Sequence, residues 1–154
     1  MRFEEHVKKL RVELEVEPLL LVDVDARNYL NQKRYKGYNG LFKSETNTVF
    51  VKQSNKILTL AHEMRHAWQY KNRIKENFDF SDNKTVISKL IEKLTYPFSR
   101  KEWDANLYAF RYGFRQGLRK DAILYFLSMP IFGLIYGFVT FAICTFLAFS
   151  LYNY

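Results

Sequence analysis

Every Asp, Glu, Lys and Arg in this 154-residue chain lies at or before Asp121, and residues 122–154 carry no formal charge. A bilayer core about 30 Å thick is crossed by about 20 helical residues, so the uncharged stretch is long enough for one crossing and too short for two. A soluble core would have to wrap the same stretch using only residues 1–120, and small domains bury too little surface for that. The sequence therefore predicts a folded domain over residues 1–120 and a transmembrane segment within 122–152, with its apolar centre near 131–151. Pro130, Gly133 and Gly137 fall where a lipid-embedded helix tolerates kinks, and Tyr125, Tyr136, Tyr152 and Tyr154 suit the membrane interface.

The basic residues Arg111, Arg115, Arg119 and Lys120 flank the apolar stretch on one side, whereas nothing basic follows it. By the positive-inside rule the folded domain is expected in the cytoplasm, held by a single-pass C-terminal anchor. No apolar signal segment opens the chain, because Glu4, Glu5, Lys8, Lys9 and Arg11 interrupt it. The net charge of +8 then favours a lipid bilayer with anionic headgroups as partner, each basic residue near the surface contributing about 1 kcal/mol. Nucleic acid is not expected as a partner: Lys33, Arg34, Tyr35 and Lys36 form one short basic run without a recognised binding fold. The single cysteine, Cys144, lies within the apolar stretch and makes no intrachain disulfide.

Within the charged part, His62-Glu63-Met64-Arg65-His66 is an HExxH pattern. Residues four apart stack on one helix face, so His62 and His66 can offer two imidazoles to one tetrahedral Zn²⁺, with Glu63 placed as a base. Ile57, Leu58, Leu60, Ala61, Met64, Ala67 and Trp68 recur at helical spacing, and no Pro or Gly interrupts residues 56–71. Ser54 or Asn55 is the expected cap. A third ligand is needed, and no histidine follows His66, so it must be a carboxylate. Residues 99–110 supply Glu102 and Asp104 on a second helix. Its stripe of Trp103, Leu107, Phe110, Phe114 and Leu118 is expected to pack against the first.

The pattern Ser99, Arg100, Glu102, Ala105, Asn106 and Ala109 resembles the corresponding helix of the HtpX and CAAX-prenyl-protease family, and equally that of the ImmA/IrrE-like metallopeptidases. Both are gluzincins, and the resemblance is carried by this segment and the HExxH segment alone. It implies that Glu102 is the third zinc ligand and that Asn106 supports the ligand histidines. Helical periodicity puts 102 and 106 on one face and 104 nearly opposite, leaving Asp104 as the alternative carboxylate. Asn106 stands where many relatives have Asp, which removes a negative charge.

Ahead of the motif, Phe3, Val7, Leu10 and Leu14 mark a helix closed by Pro18, and residues 19–24 read as a buried strand. Residues 38–42 and 48–51 read as two more strands joined by a polar turn over 44–47. The resemblance makes the strand before the motif helix the substrate edge, here Thr48, Val49, Phe50 and Val51, where an extended peptide adds to the sheet. Residues 72–83 are polar, and Val86, Ile87, Leu90, Ile91 and Leu94 mark a further amphipathic helix. The expected fold is α+β: a small zincin-like domain with an N-terminal helix, about three strands, the HExxH helix and the Glu-bearing helix, followed by one transmembrane helix.

The resulting expectation is a membrane-anchored zinc metallopeptidase acting on a protein or peptide substrate, with Zn²⁺ as cofactor and Glu63 as general base. Tyr108, Tyr112 and Tyr70 are candidate oxyanion donors, and His6 is a further one. Two other readings compete: a non-proteolytic zinc-binding module, and a membrane-associated regulator in which the HExxH pattern is accidental.

Overall fold

The computed structural model of the chain describes residues 2–32, 35, 37–74 and 99–128. The expected helix around Val86 to Leu94, the basic residues Lys33, Arg34 and Lys36, Cys144 and the apolar centre at 131–151 lie outside them. Among the described residues no helix is long and apolar enough to cross a membrane.

The described fold is α+β, with five α-helices and a three-stranded sheet. Helix α1 (Phe3–Leu14) buries Val7, Leu10 and Leu14 as its periodicity requires, and carries Glu4 and Glu5 in its first turn and Arg11 in its last, matching the helix dipole. Strand β1 (Leu19–Val22) ends earlier than expected. Asp23 takes a left-handed conformation with φ 53°, and helix α2 (Asp23–Leu30) starts there. The Asp23 carboxylate accepts a hydrogen bond from the Ser54 amide at 3.0 Å, tying this corner to the segment before the motif helix.

Strand β2 (Gly40–Lys43) runs through a short 3-10 turn into β3 (Thr48–Val51). The two pair antiparallel, while β1 pairs parallel with the other side of β3, giving the order β1-β3-β2. This corrects the expected substrate edge. Thr48, Val49, Phe50 and Val51 form the central strand, hydrogen-bonded on both sides and fully buried, so they cannot accept an added strand. Side chains alternate across β3. Val49 and Val51 face the main core with Leu10, Leu60 and Met64, whereas Phe50 faces Ala26 and Leu30 of α2.

Helix α3 (Ile57–Lys71) carries the HExxH pattern between the sheet and helix α4 (Arg100–Arg115). Its N-cap is Lys56 and has no side-chain cap bond, so neither Ser54 nor Asn55 caps it. On α4 the Ser99 hydroxyl accepts from the Glu102 amide at 3.2 Å, an N-cap that places Glu102 in the first turn. The packing face of α4 is the reverse of the one expected. Ala105, Ala109, Tyr112 and Gly113 are buried, whereas Trp103 and Phe114 are each 39 % exposed. Small residues let α4 approach closely, and a Cβ at Gly113 would sit 2.7 Å from Leu58 Cδ2 and 2.9 Å from Ala122 Cβ. The larger rings gather outside, with Phe110 centred 4.8 Å from Phe114 and 4.6 Å from Phe126.

Gly117, at φ 79°, ends α4, and the Leu118 amide donates back to the Gly113 carbonyl at 2.9 Å, closing a Schellman-type cap. Helix α5 (Arg119–Leu127) then folds back with Ala122 fully buried. The folded unit therefore continues past Lys120 into residues that the charge pattern assigned to the apolar tail. The turn also divides the four basic residues that precede the apolar stretch between two helices. Arg111 stays exposed on α4, Arg115 pairs with Glu13 of α1, and Arg119 and Lys120 open α5. Substituting Gly113→Val should lower the unfolding free energy by about 1–3 kcal/mol through overpacking, read as a lower urea midpoint; an unchanged midpoint would contradict the close approach.

Candidate metal centre

Four residues apart on α3, His62 and His66 project from the same face, with ring centroids 4.6 Å apart and planes at 84°. Their Nε2 atoms lie 3.0 Å from each other. Helix α4 brings the Glu102 carboxylate against both, Oε2 at 3.4 Å from His62 Nε2 and Oε1 at 3.2 Å from His66 Nε2. The Glu102 side chain is 13 % exposed. Glu63 contributes a second carboxylate: its ligand atom and those of the two histidines all lie within 4.8 Å of one another. Glu102 is the carboxylate in direct contact with both imidazoles, and Glu63 is turned towards the sheet.

The outward nitrogens of the imidazoles are occupied. His66 Nδ1 lies 2.8 Å from Gln69 Oε1, an oxygen that can only accept, so this nitrogen carries a proton and Nε2 is the one turned to the cluster. Gln69 is fully buried and held in turn, its amide donating to the Lys101 carbonyl at 2.9 Å and to Asp104 at 2.8 Å. His62 Nδ1 lies 3.0 Å from the hydroxyl of Tyr125 on α5, and that hydroxyl donates to Asn106 Oδ1 at 2.8 Å. Two imidazole Nε2 atoms and the Glu102 carboxylate thus meet in one cluster. The group His62, Glu63 and His66 could hold a metal ion there.

Electrostatics agree with the geometry. Burial disfavours the imidazolium of His66, but the hydrogen bond to Glu102 and the charges of Glu63 and Glu102 outweigh it and raise its pKa to about 9. Burial also disfavours the Glu102 anion, yet its contacts with His62 and His66 hold its carboxyl well below the usual range. Glu63 is buried, and desolvation pushes its pKa up against the opposing pull of His62 and His66.

Glu63 owes its position to Gly40 at the start of β2. A Cβ there would meet Glu63 Oε1 at 2.8 Å and Thr59 Cγ2 at 2.5 Å, so the strand can lie against the carboxylate only where the side chain is absent. The Phe42 amide also donates to Glu63. In front of the cluster opens a cavity of about 410 Å³, bounded by β2 on one side and by His62, Glu63, His66, Glu102 and Tyr125 on the other.

Asp104 is neither a ligand nor free. It accepts from Arg65 at 2.8 and 3.1 Å and from Gln69, stapling α4 to α3, while the Arg65 guanidinium lies 3.7 Å from the Trp68 ring centre. Asn106 does not reach a histidine directly; Tyr125 stands between them. Two of the three candidate oxyanion donors are turned away. The Tyr108 hydroxyl donates to Glu13 at 2.9 Å, and the Tyr112 hydroxyl is spent on buried His6 at 2.9 Å, which also removes His6 from the site. Burial pushes Tyr112 up to about 12. Tyr70 borders the cavity and is exposed. Gln69 was within reach of sequence reasoning, three residues after His66 on the same face. Tyr125, expected at a membrane interface, instead lies against His62 and Asn106.

Comparison of the chain with protein-family models, curated proteins and solved structures finds no match.

The pKa shifts give a signed expectation for the metal-free protein. His66 is raised, so its contribution to stability is complete below its unfolded value of 6.5 and is lost as pH rises through about 9. Glu102 is depressed, so its contribution is present above 4.5 and is lost as pH falls through its folded value. Glu63, being raised, contributes less as pH climbs above 4.5, in the same direction as His66. With a chelator present, urea midpoints should fall between about pH 6.5 and 9. Glu102→Gln should flatten that decline.

Proposed function

We propose that this chain is a zinc-dependent metallopeptidase tied to a membrane, with His62, His66 and Glu102 as ligands and Glu63 as general base. The observation that carries the reading is the cluster of two imidazole nitrogens 3.0 Å apart, each met by a different oxygen of Glu102 at 3.4 and 3.2 Å, beside a buried second carboxylate. Tetrahedral zinc with bonds of about 2.0–2.1 Å has ligand–ligand edges of about 3.3 Å, close to what the metal-free side chains already adopt. A bound Zn²⁺ supplies Lewis acidity, bringing the pKa of water towards about 7 and polarising a carbonyl.

The protein's own groups supply the remainder. Glu63 is desolvated, which raises its affinity for a proton, so it accepts one from water at its carboxylate and returns it to the leaving amine. Its bond from the Phe42 amide and the snug fit against Gly40 hold the carboxylate at one depth. Among the described residues the outer edge of strand β2 is unpaired along the cavity, so an extended peptide adds to β2 rather than to β3, passing in front of His62 and His66. Tyr70 is the remaining candidate to stabilise a developing oxyanion. The uncharged residues after α5, with exposed Arg119 and Lys120 just before them, support attachment to an anionic bilayer with the domain on its cytoplasmic side.

A non-catalytic zinc module is the competing reading, and Glu63 separates the two. Metal analysis should give about one zinc per chain. Glu102→Ala should lose it, whereas Glu63→Gln should keep it and lower hydrolysis of an unfolded protein by at least about 100-fold. Zinc absent from the parent, or hydrolysis unchanged in Glu63→Gln, would overturn the proposal. Gly40→Ala, whose methyl group pushes on Glu63 from the strand, should also retain zinc while lowering turnover. Release of the chain from membranes by alkaline extraction would refute the anchor.

A further inference from the structure

We propose that Tyr125 is a positioning residue that fixes the proton of His62 on Nδ1, and that metal affinity is thereby set by helix α5. This rests on the metal reading above. It goes beyond it in assigning control of one ligand to a residue that is not itself a ligand.

A histidine can ligate through Nε2 only when that nitrogen carries no proton, so the partner of Nδ1 decides whether the ring is ready. For His62 that partner is the Tyr125 hydroxyl at 3.0 Å. A hydroxyl has one proton to give. Tyr125 gives its proton to Asn106 Oδ1 at 2.8 Å, so towards His62 it presents a lone pair and must receive Nδ1–H. Asn106 therefore acts on the ring through Tyr125, and an acceptor at position 106 sets the direction of the whole relay.

The relay joins three helices. His62 lies on α3, Asn106 on α4 and Tyr125 on α5, and the last is oriented by Ala122, whose side chain is packed against Gly113. His66, in contrast, is locked by Gln69 from its own helix. A displacement of α5 would therefore release His62 while leaving His66 in place. Exposed Ile123 and Leu124 lie on the same helix outside the relay and provide controls.

Two measurements on the full chain test this separately. The first needs no metal: two-bond ¹H–¹⁵N spectra of the imidazoles should show His62 as the Nδ1–H tautomer in the parent, and a shift towards Nε2–H in Tyr125→Phe. The second is competition for zinc against a chromogenic chelator. Tyr125→Phe and Asn106→Leu should each weaken binding by about 10–100-fold, and the double variant should be no weaker than either alone, because they break one relay. Asn106→Asp, which can only accept, should restore binding, and Leu124→Ala should leave it unchanged. An Nε2–H tautomer in the parent, parent-like affinity in Tyr125→Phe, or additive losses would overturn the inference. Failure of the parent to bind zinc with the Nδ1–H tautomer intact would instead overturn the metal reading, and the control of affinity by α5 with it.

Discussion

Three lone-pair donors meeting at a point with room for a proton or a cation, and little else, is the constraint to which the rest of this structure is fitted. Two imidazole nitrogens at 3.0 Å repel unless something positive lies between them, and the carboxylate of Glu102 closes the third side. The His66 pKa is accordingly raised to about 9 and that of Glu102 is held low. A group this polar can be held inside a small domain only when each outward atom is also satisfied. Gln69, Asp104, Asn106 and Tyr125 meet that need, and each comes from a helix that must then be placed accurately.

Close helix approach follows from the same demand. For a glutamate on α4 to reach two histidines on α3, the helix axes must lie near each other, and side chains at the interface must be short. Ala105 and Ala109 face α3 for this reason, Gly113 continues the row where α5 crosses, and the aromatic stripe of α4 is turned outward. Gly40 answers an equivalent demand from the sheet side, letting β2 lie against Glu63. The large rings therefore do not form the centre of the fold; small residues do, because separation matters there more than buried area.

Several features were legible in the chain because they depend on local periodicity. The helices at Phe3–Leu14 and Ile57–Lys71, the strands at Gly40–Lys43 and Thr48–Val51, and the shared face of His62 and His66 all follow from repeats of 3.6 or 2 residues. Glu102 was singled out by a resemblance and by its phase relative to Asn106. What failed were inferences that treated local pattern as a guide to neighbours. The apolar stripe of α4 was assigned to the interface because apolar faces usually are, yet the need for closeness reversed it. The family resemblance implies an edge at the strand before the motif helix, yet a parallel pairing with β1 puts β3 in the middle.

The sequence by itself determined that two histidines and a glutamate would share a helix, that no later histidine could join them, and that charge would end at Asp121. These are properties of spacing and composition, and no packing can alter them. Only the tertiary structure decided which carboxylate meets the imidazoles, which strand stays unpaired beside them, and that Tyr125, 63 residues beyond His62, holds the first ring. Those outcomes depend on distances between helices, and such distances are set by the sizes of Ala105, Ala109, Gly113 and Gly40 acting together across the fold.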